Sequence, residues 1–493
     1  MSSIKKLAGQ TVIYGGTSII GRLLNYLLVP IHTYVFPNPN DYGVVGEMYA
    51  WVGLLIVLLT YGMETAFFRF NAQAPDDEKN KIYGTSLISL LVTSILFIVG
   101  MLVFRQNVAD TMNYSSHPEY ISWFVLVIAF DAISTLPFAR LRAQNRPRKF
   151  AFVKLSNIFI NIVLTLFFLI ICPWLLNHNI LPDVINAIYS KDIGIGYIFI
   201  ANLAASGITL LLLFSEIRIP RLSFDWKIWK QMFYYAFPLL IFGLAGIVNE
   251  TMDRLFLKAL SPADIAQGQV GIYSACYKIS IMMTIFIQAF KYAAEPFFFA
   301  KSKDSDARHT YSKVMTYFVL ACSLIFLGIM LYIDVVQYFV GKEYRVGITI
   351  VPILLMANLF LGVFYNLSIW YKLTGQTRFG AYISIIGAII TIALNYTLIP
   401  IMGYMGSAWA TFICYAVMMI ISFIIGQKHY HVDYEVGKIF GILALAIGLY
   451  VISIYNPFTT TSFKFAFNTL LLFVFIGVEY LVERKNIAKI MNG

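Results

Sequence analysis

Apolar stretches of roughly membrane-spanning length, separated by short polar gaps, recur along the whole chain. A helix needs roughly 20 mainly apolar residues to cross the hydrocarbon of a bilayer. By that rule the pattern predicts helices near 11–36, 43–68, 83–104, 120–139, 150–172, 193–215, 233–259, 270–298, 313–333, 349–371, 379–399, 404–425, 438–455 and 464–482. An even number of spans puts both termini on one side. No polar gap is long enough to fold as a separate catalytic domain, so function resides within the helix bundle.

Two short segments recur. Asp41-Tyr-Gly-Val-Val-Gly-Glu-Met-Tyr49 opens the second predicted helix and Gln269-Val-Gly-Ile-Tyr-Ser-Ala-Cys-Tyr277 the eighth, matching Gly43 to Gly271 and Tyr49 to Tyr277. Arg142-Ala-Gln-Asn-Arg-Pro-Arg148 leads into the fifth helix as Lys372-Leu-Thr-Gly-Gln-Thr-Arg378 leads into the eleventh. Nearly equal offsets suggest that helices 1–6 and 7–12 are parallel copies, a transporter architecture in which substrate is held between halves. The expected fold class is an all-α polytopic membrane protein of about 14 transmembrane helices. Residues 1–220 and 221–428 form two pseudo-symmetric six-helix lobes, and residues 429–493 carry an additional helix pair, 13 and 14.

Composition agrees with lipid as the main solvent. The 493 residues are 59% apolar and 12% charged, with a mean hydropathy of +0.75; soluble domains carry about 25% charged residues. The formal charge of +11 raises the question of nucleic acid. Its distribution argues against that partner, because no basic stripe stands on a soluble domain. Instead Lys5 and Lys6, the Arg140–Lys149 cluster, Arg218, Arg221, Lys227, Lys230, Lys301, Lys303, Arg308, Lys313, Lys485 and Lys489 fall in alternate gaps. The intervening gaps hold only Arg105, Lys191, Lys342, Arg345 and Lys464. Basic residues mark cytoplasmic loops, so both termini are expected in the cytoplasm. Cys172, Cys276, Cys322 and Cys414 lie in apolar segments without CxxC spacing and read as small core residues. No metal or cofactor is expected: a lone H-x-H at His429 and His431 is poor grounds for a metal site, and GxxxxGK[ST], HExxH and GxSxG are absent from the sequence.

Ionisable groups inside the apolar stretches are the sharpest functional signal, since each costs about 2.5–3.5 kcal/mol near a helix centre on insertion scales and therefore faces protein or water. Arg22 lies deep in the first helix; its structural alternative is an ion pair with Asp131. Glu64 stands near an inner end. Glu250, Asp253 and Arg254 form a polar patch on the seventh helix, where the four-residue spacing of Glu250 and Arg254 permits an internal pair. Lys278 and Lys291 lie on the eighth helix, Lys291 four residues before Glu295. Arg254 and Lys278 high, Arg22 in the middle and Lys291 low would offer a ladder of cations to a phosphate group. Glu64, Asp131, Glu250, Asp253 and Glu295 are the candidates for coupling or ion pairing. Pro30, Pro137 and Pro238 are candidate kinks or hinges, and Asn157, Asn161, Asn358, Asn366 and Asn395 read as interhelical glue.

Several of these segments together resemble the polysaccharide (O-antigen) flippases of the multidrug/oligosaccharidyl-lipid/polysaccharide exporter superfamily. They are Ala8-Gly-Gln-Thr-Val-Ile-Tyr-Gly-Gly16 with Arg22 and Pro30, Tyr42-Gly43, Leu141-Arg-Ala-Gln-Asn-Arg-Pro147, Asp253-Arg254-Leu-Phe-Leu, Val270-Gly-Ile-Tyr273 and Gly403-Tyr-Met-Gly-Ser-Ala-Trp-Ala-Thr411. The resemblance implies a V-shaped pair of six-helix lobes. It implies transfer of a polyprenyl-pyrophosphate-linked oligosaccharide to the periplasmic leaflet of the bacterial inner membrane, with Arg22 and Arg254 on the pyrophosphate. Its partners would be the lipid-linked oligosaccharide, the bilayer, and polysaccharide polymerase or assembly proteins. An ion-coupled exporter of small molecules with the same fold is the alternative, and a membrane sugar polymerase a more distant one.

Overall fold

The computed structural model describes residues 15–491 except 18, 218–222, 303, 457 and 459; beyond 482, side chains are described only at 484. Lys5, Lys6, residues 8–14 of the opening motif, Arg218, Arg221, Lys303 and the side chains of Lys485 and Lys489 lie outside that set.

Long helices dominate. The first, α1, is helical over 19–35 with an interruption at Leu27; its predicted start near 11 lies outside the described residues. Pro30 removes the N–H that would close onto the Tyr26 carbonyl, which weakens the helix at that point. Then follow α2 (Pro39–Gln73), α3 (Asp76–Val103), α4 (Pro118–Ala143), α5 (Pro147–Asn177), α6 (Gly196–Leu212) and α7 (Trp226–Thr251). A short helix, Asp253–Leu260, leads to α8 (Ala266–Lys301), α9 (Ala307–Met330), α10 (Lys342–Leu373), α11 (Arg378–Met402), α12 (Tyr404–His429), α13 (Val436–Ile454) and α14 (Thr461–Val482). Among the described residues twelve of these are long and apolar enough to cross a membrane, and thirteen if α6 is joined to the segment before it.

Local chemistry sets the helix ends. Asn38 accepts from the Asn40 N–H at 3.1 Å and Pro39 follows at the first helical position of α2; Pro118 and Pro147 begin α4 and α5. A proline there loses only an N–H that has no partner within the helix. Asp225 caps α7, accepting from the Lys227 and Ile228 N–H groups at 2.8 and 3.0 Å, while its other oxygen lies 2.6 Å from Lys81.

Two breaks depart from the predicted straight spans. Residues Pro182–Ile193 meet α6 at 112°, a turn carried by Gly194 at φ +48°. The predicted seventh helix ends early, at Thr251, and restarts at Asp253.

The chain divides into two compact units, residues 1–271 and 272–493. In the first, Tyr61, Phe67, Tyr83, Leu87, Leu136 and Met232 form a core drawn from α2, α3, α4 and α7. In the second, Ala357, Phe364, Ile383, Tyr415 and Met418 join α10, α11 and α12. Asn157 donates to Thr209 at 3.0 Å between α5 and α6, and Ser407 donates to Asn395 at 2.9 Å between α11 and α12. Polar side chains thus tie helices together within each unit.

Outward faces are oily. On α3 alone Val92, Ile95, Leu96, Val99 and Val103 are each at least half exposed. A soluble monomer rarely shows such a contiguous apolar face, and hydrocarbon is its natural solvent. The protein is a multi-pass membrane protein.

Candidate functional site

In the first unit, close packing brings α1 against α5: a side chain at Gly21 would stand 2.6 Å from Ile158 Cδ1. The adjacent Arg22 is exposed, and among the described residues no acidic group forms an ion pair with it. Asp131, its expected alternative partner, instead accepts from Ser206 Oγ on α6 at 2.8 Å. One turn away on α6, Asn202 donates to the Tyr49 hydroxyl of α2 at 2.6 Å. These residues form a short polar strip across α2, α4 and α6. Near the other end of α2, Glu64 is bound by Arg142 of α4.

Arg254 pairs with its sequence neighbour: Nη1 donates to Asp253 Oδ1 at 2.7 Å and lies 3.5 Å from the Glu250 carbonyl oxygen. Both Asp253 and Arg254 are buried, while Glu250 is exposed. A buried pair of this kind is held by mutual neutralisation, so Arg254 is compensated within its own chain.

Sequence reasoning passed over a second buried acid. Glu47 of α2, only 3% exposed, accepts from the Tyr114 hydroxyl at 2.5 Å and lies 4.0 Å from Lys258 Nζ. Lys258 donates to Gln267 Oε1, and Gln267 Nε2 donates to the Tyr114 oxygen at 3.1 Å. Its signal was an acid four residues beyond Gly43, one turn inside a span. Beside this network α2 crosses the start of α8. A side chain on Gly271 would stand 1.9 Å from the Pro39 carbonyl oxygen and 2.9 Å from the Gly43 nitrogen.

Outside the spans, Glu216 gathers the cations that the sequence showed only as a basic gap. Its carboxylate lies 2.8 Å from Arg146, 2.7 Å from Lys149 and 3.8 Å from Arg140. Burial pushes its pKa up, but the Lys149 hydrogen bond and the three cations outweigh burial and hold the carboxyl below the usual range. Glu435 does the same in the second unit, taking Lys313 at 2.6 Å, Thr316 at 3.0 Å and Lys438 at 3.7 Å.

The remaining candidates belong to the second unit. Lys278 is half-buried on α8. Further along α8, Lys291 Nζ lies 4.6 Å over the Tyr365 ring of α10. Glu295 is joined to Lys372 at 2.8 Å, a partner on another helix rather than the one four residues away. Lys291, Glu295, Lys372, Asn366 and Ser368 line one cleft. A separate cavity in the first unit, of about 530 Å³ between α2, α3 and α4, is walled by Trp51, Phe97, Met101, Phe104 and Phe124. That lining suits hydrocarbon rather than a phosphate group.

Residues 7–300 match the family described as polysaccharide biosynthesis protein. A comparison with curated protein sequences gives no match. Among solved structures the fold resembles the lipid II flippase MurJ in an inward closed conformation, with TM-score 0.75 at 13% identity over 97% of this chain and 100% of that one. It also resembles an inward-facing multidrug resistance MATE family transporter of the MOP superfamily, with TM-score 0.67 at 16% identity over 83% of this chain and 94% of that one. A MOP superfamily transporter from Pyrococcus furiosus, described as having a binding pocket of reverse polarity, gives TM-score 0.58 at 17% identity over 85% and 95%. At such identities these structures speak for the fold, and the match over residues 7–300 speaks for descent. The chain belongs to the polysaccharide biosynthesis protein family and has the fold of the MOP exporters.

Proposed function

We propose that this protein is a flippase for a polyprenyl-pyrophosphate-linked oligosaccharide, carrying it from the cytoplasmic to the periplasmic leaflet of a bacterial inner membrane by alternating access. The product would serve cell-surface polysaccharide or lipopolysaccharide assembly, with polymerase or assembly proteins downstream. Membership of the polysaccharide biosynthesis family supports the cargo class. Exposure of Arg22 on an apolar helix is the observation that carries the chemistry.

A pyrophosphate cannot enter hydrocarbon unaccompanied, because burying charge without partners costs many kcal/mol. Arg22 supplies a forked cation for phosphate oxygens. Within the second unit Lys278 and Lys291 are further candidate cations for the pyrophosphate, while in the first Arg254, compensated by Asp253, positions the end of α7 and contributes only when that pair opens. Helix surfaces such as that of α3 leave the polyprenyl tail in lipid. No covalent step is required.

The test is complementation of a flippase-deficient strain with wild type, Arg22→Ala, Arg22→Lys and Lys278→Ala, with membrane insertion verified for each. Loss of surface polysaccharide in Arg22→Ala and partial rescue by Arg22→Lys is the expected result. Full activity of Arg22→Ala and Lys278→Ala would remove the cationic path, and drug efflux without polysaccharide display would replace the cargo.

A further inference from the structure

The apolar cavity between α2, α3 and α4 in the first unit is built like a ligand site. Its volume is about 530 Å³, within the range of roughly 300–1,000 Å³ that ligand pockets occupy. Met48, Val125 and Ile128 make a buried floor, while Phe104, Asn107 and Thr111 are exposed and mark the mouth. Phe97 and Phe104 on one wall, like Ile121 and Ile128 on another, stand seven residues apart. That is a helical rise of roughly 10 Å, against about 15 Å for one leaflet's share of the hydrocarbon. The mouth lies where the span of α3 ends, and the floor lies deeper along the spans.

Two observations say what fills it. Protein interiors leave few voids larger than a water molecule, and water needs two to four polar partners. Here Asn107 and Thr111 stand at the mouth, and Thr111 already donates to the Asn107 carbonyl at 2.8 Å. Leu96 and Val103 of the exposed apolar face of α3 are chain neighbours of Phe97 and Phe104 in the wall. The cavity is therefore continuous with a surface that hydrocarbon covers. The second observation concerns its polar end. Arg105 is exposed, follows Phe104 directly and stands one turn before Val108 of the lining, on the short helix Arg105–Thr111. It forms no ion pair among the described residues, and the nearby Asp110 is taken by Gln106 Nε2 at 2.9 Å. An oily slot with a cation at its mouth matches an anionic amphiphile.

We propose that this cavity holds one acyl chain of an anionic phospholipid, with Arg105 at the headgroup phosphate. Because α4 carries the chain from this mouth to the basic Arg140–Lys149 turn, the lipid comes from the leaflet opposite that turn. Its chain fills the space between three helices and becomes part of the packing of the first unit.

Trp51 stands in the cavity wall, and bromine quenches indole fluorescence at short range. The experiment reconstitutes the full-length protein in phosphatidylcholine vesicles in which a rising fraction is replaced by phosphatidylglycerol brominated at mid-chain. The Trp51 signal is the difference between wild type and Trp51→Phe. The expected result is Trp51 quenching that saturates at a small phosphatidylglycerol fraction, whereas the other tryptophans follow the bulk fraction. Arg105→Gln should raise the half-saturating fraction by about 1.5- to 5-fold, the range of one exposed ion pair. An unmoved midpoint overturns the choice of an anionic lipid. Val125→Phe fills the floor and should abolish the saturable component; Val108→Phe, at a half-buried position near the mouth, does the same if the floor variant fails to fold. Trp51 quenching that only tracks the bulk fraction, or that survives both filling variants, overturns the proposal and leaves ordinary solvating lipid. Displacement of the brominated lipid by an equal fraction of a short-chain polyprenyl pyrophosphate overturns it as well, by giving the cavity to the tail of the cargo.

Discussion

Gly43 and Gly271, which hold matching places in two similar sequence segments, meet where α2 crosses the start of α8. A Cβ on Gly43 would stand 2.1 Å from the Gln267 carbonyl oxygen, and one on Gly271 1.9 Å from that of Pro39. These are backbone atoms, so nothing flexible can yield. Two small residues permit a backbone approach that larger ones forbid.

Gly271→Ala is expected to force the helices apart and to destabilise by about 1–3 kcal/mol, the usual range for overpacking. Gly246→Ala, with open space around its Cβ, should be near neutral. Thermal unfolding of both variants side by side checks this.

Arg254→Ala should strand the Asp253 carboxylate in a buried site and cost about 3–5 kcal/mol. The double variant Asp253→Asn/Arg254→Gln should recover most of that loss. Recovery of stability without recovery of surface polysaccharide would assign Arg254 a role in transport as well as in folding.

Arg22→Ala, in contrast, should insert and melt like wild type, because its guanidinium is exposed. Removing a charge-assisted contact of about 1.5–3 kcal/mol to a phosphate predicts roughly 10- to 100-fold weaker binding of a lipid-linked pyrophosphate. Binding of a short-chain polyprenyl pyrophosphate to purified protein measures it.

Tyr114→Phe removes the hydroxyl that meets Glu47 and should cost about 1–3 kcal/mol by leaving a buried acceptor short of a donor. In a double-mutant cycle with Glu47→Gln the two losses should be strongly non-additive.

Acid should weaken the protein through Glu216 and Glu435. At both, burial raises the pKa but bonded cations more than offset it, so each is more acidic folded than unfolded. Such groups stabilise above the unfolded pKa, and the contribution disappears as pH falls through the lower folded value. Melting temperature should therefore decline below the ordinary glutamate range, and less steeply in Glu216→Gln than in wild type.

Spans were legible because hydrocarbon thickness dictates their length regardless of tertiary detail. The departures come where local geometry intervened. Gly194 turned the approach to α6 sharply, and Arg254 settled on the carboxylate of its neighbour Asp253. Partner choice was less legible still. Spacing on one helix suggested Lys291 with Glu295, whereas Lys372 reaches Glu295 from α10, a choice made by packing that no single-helix pattern contains. Glu47 and Glu216 were overlooked for the same reason, since an acid becomes conspicuous only when its cations arrive from elsewhere in the chain.

The clamp at Glu216 also has a history within each molecule's synthesis. Lys149 precedes it by 67 residues and Arg146 by 70, so these cations leave the ribosome well before their acid. While α4 and α5 are being threaded, the turn between them presents its full charge, the condition under which a basic loop is retained on the cytoplasmic side. When the residues after α6 arrive, the Glu216 carboxylate offsets one of those charges and gathers three of the cations around itself. The same side chains can therefore act first as an address and later as a rivet.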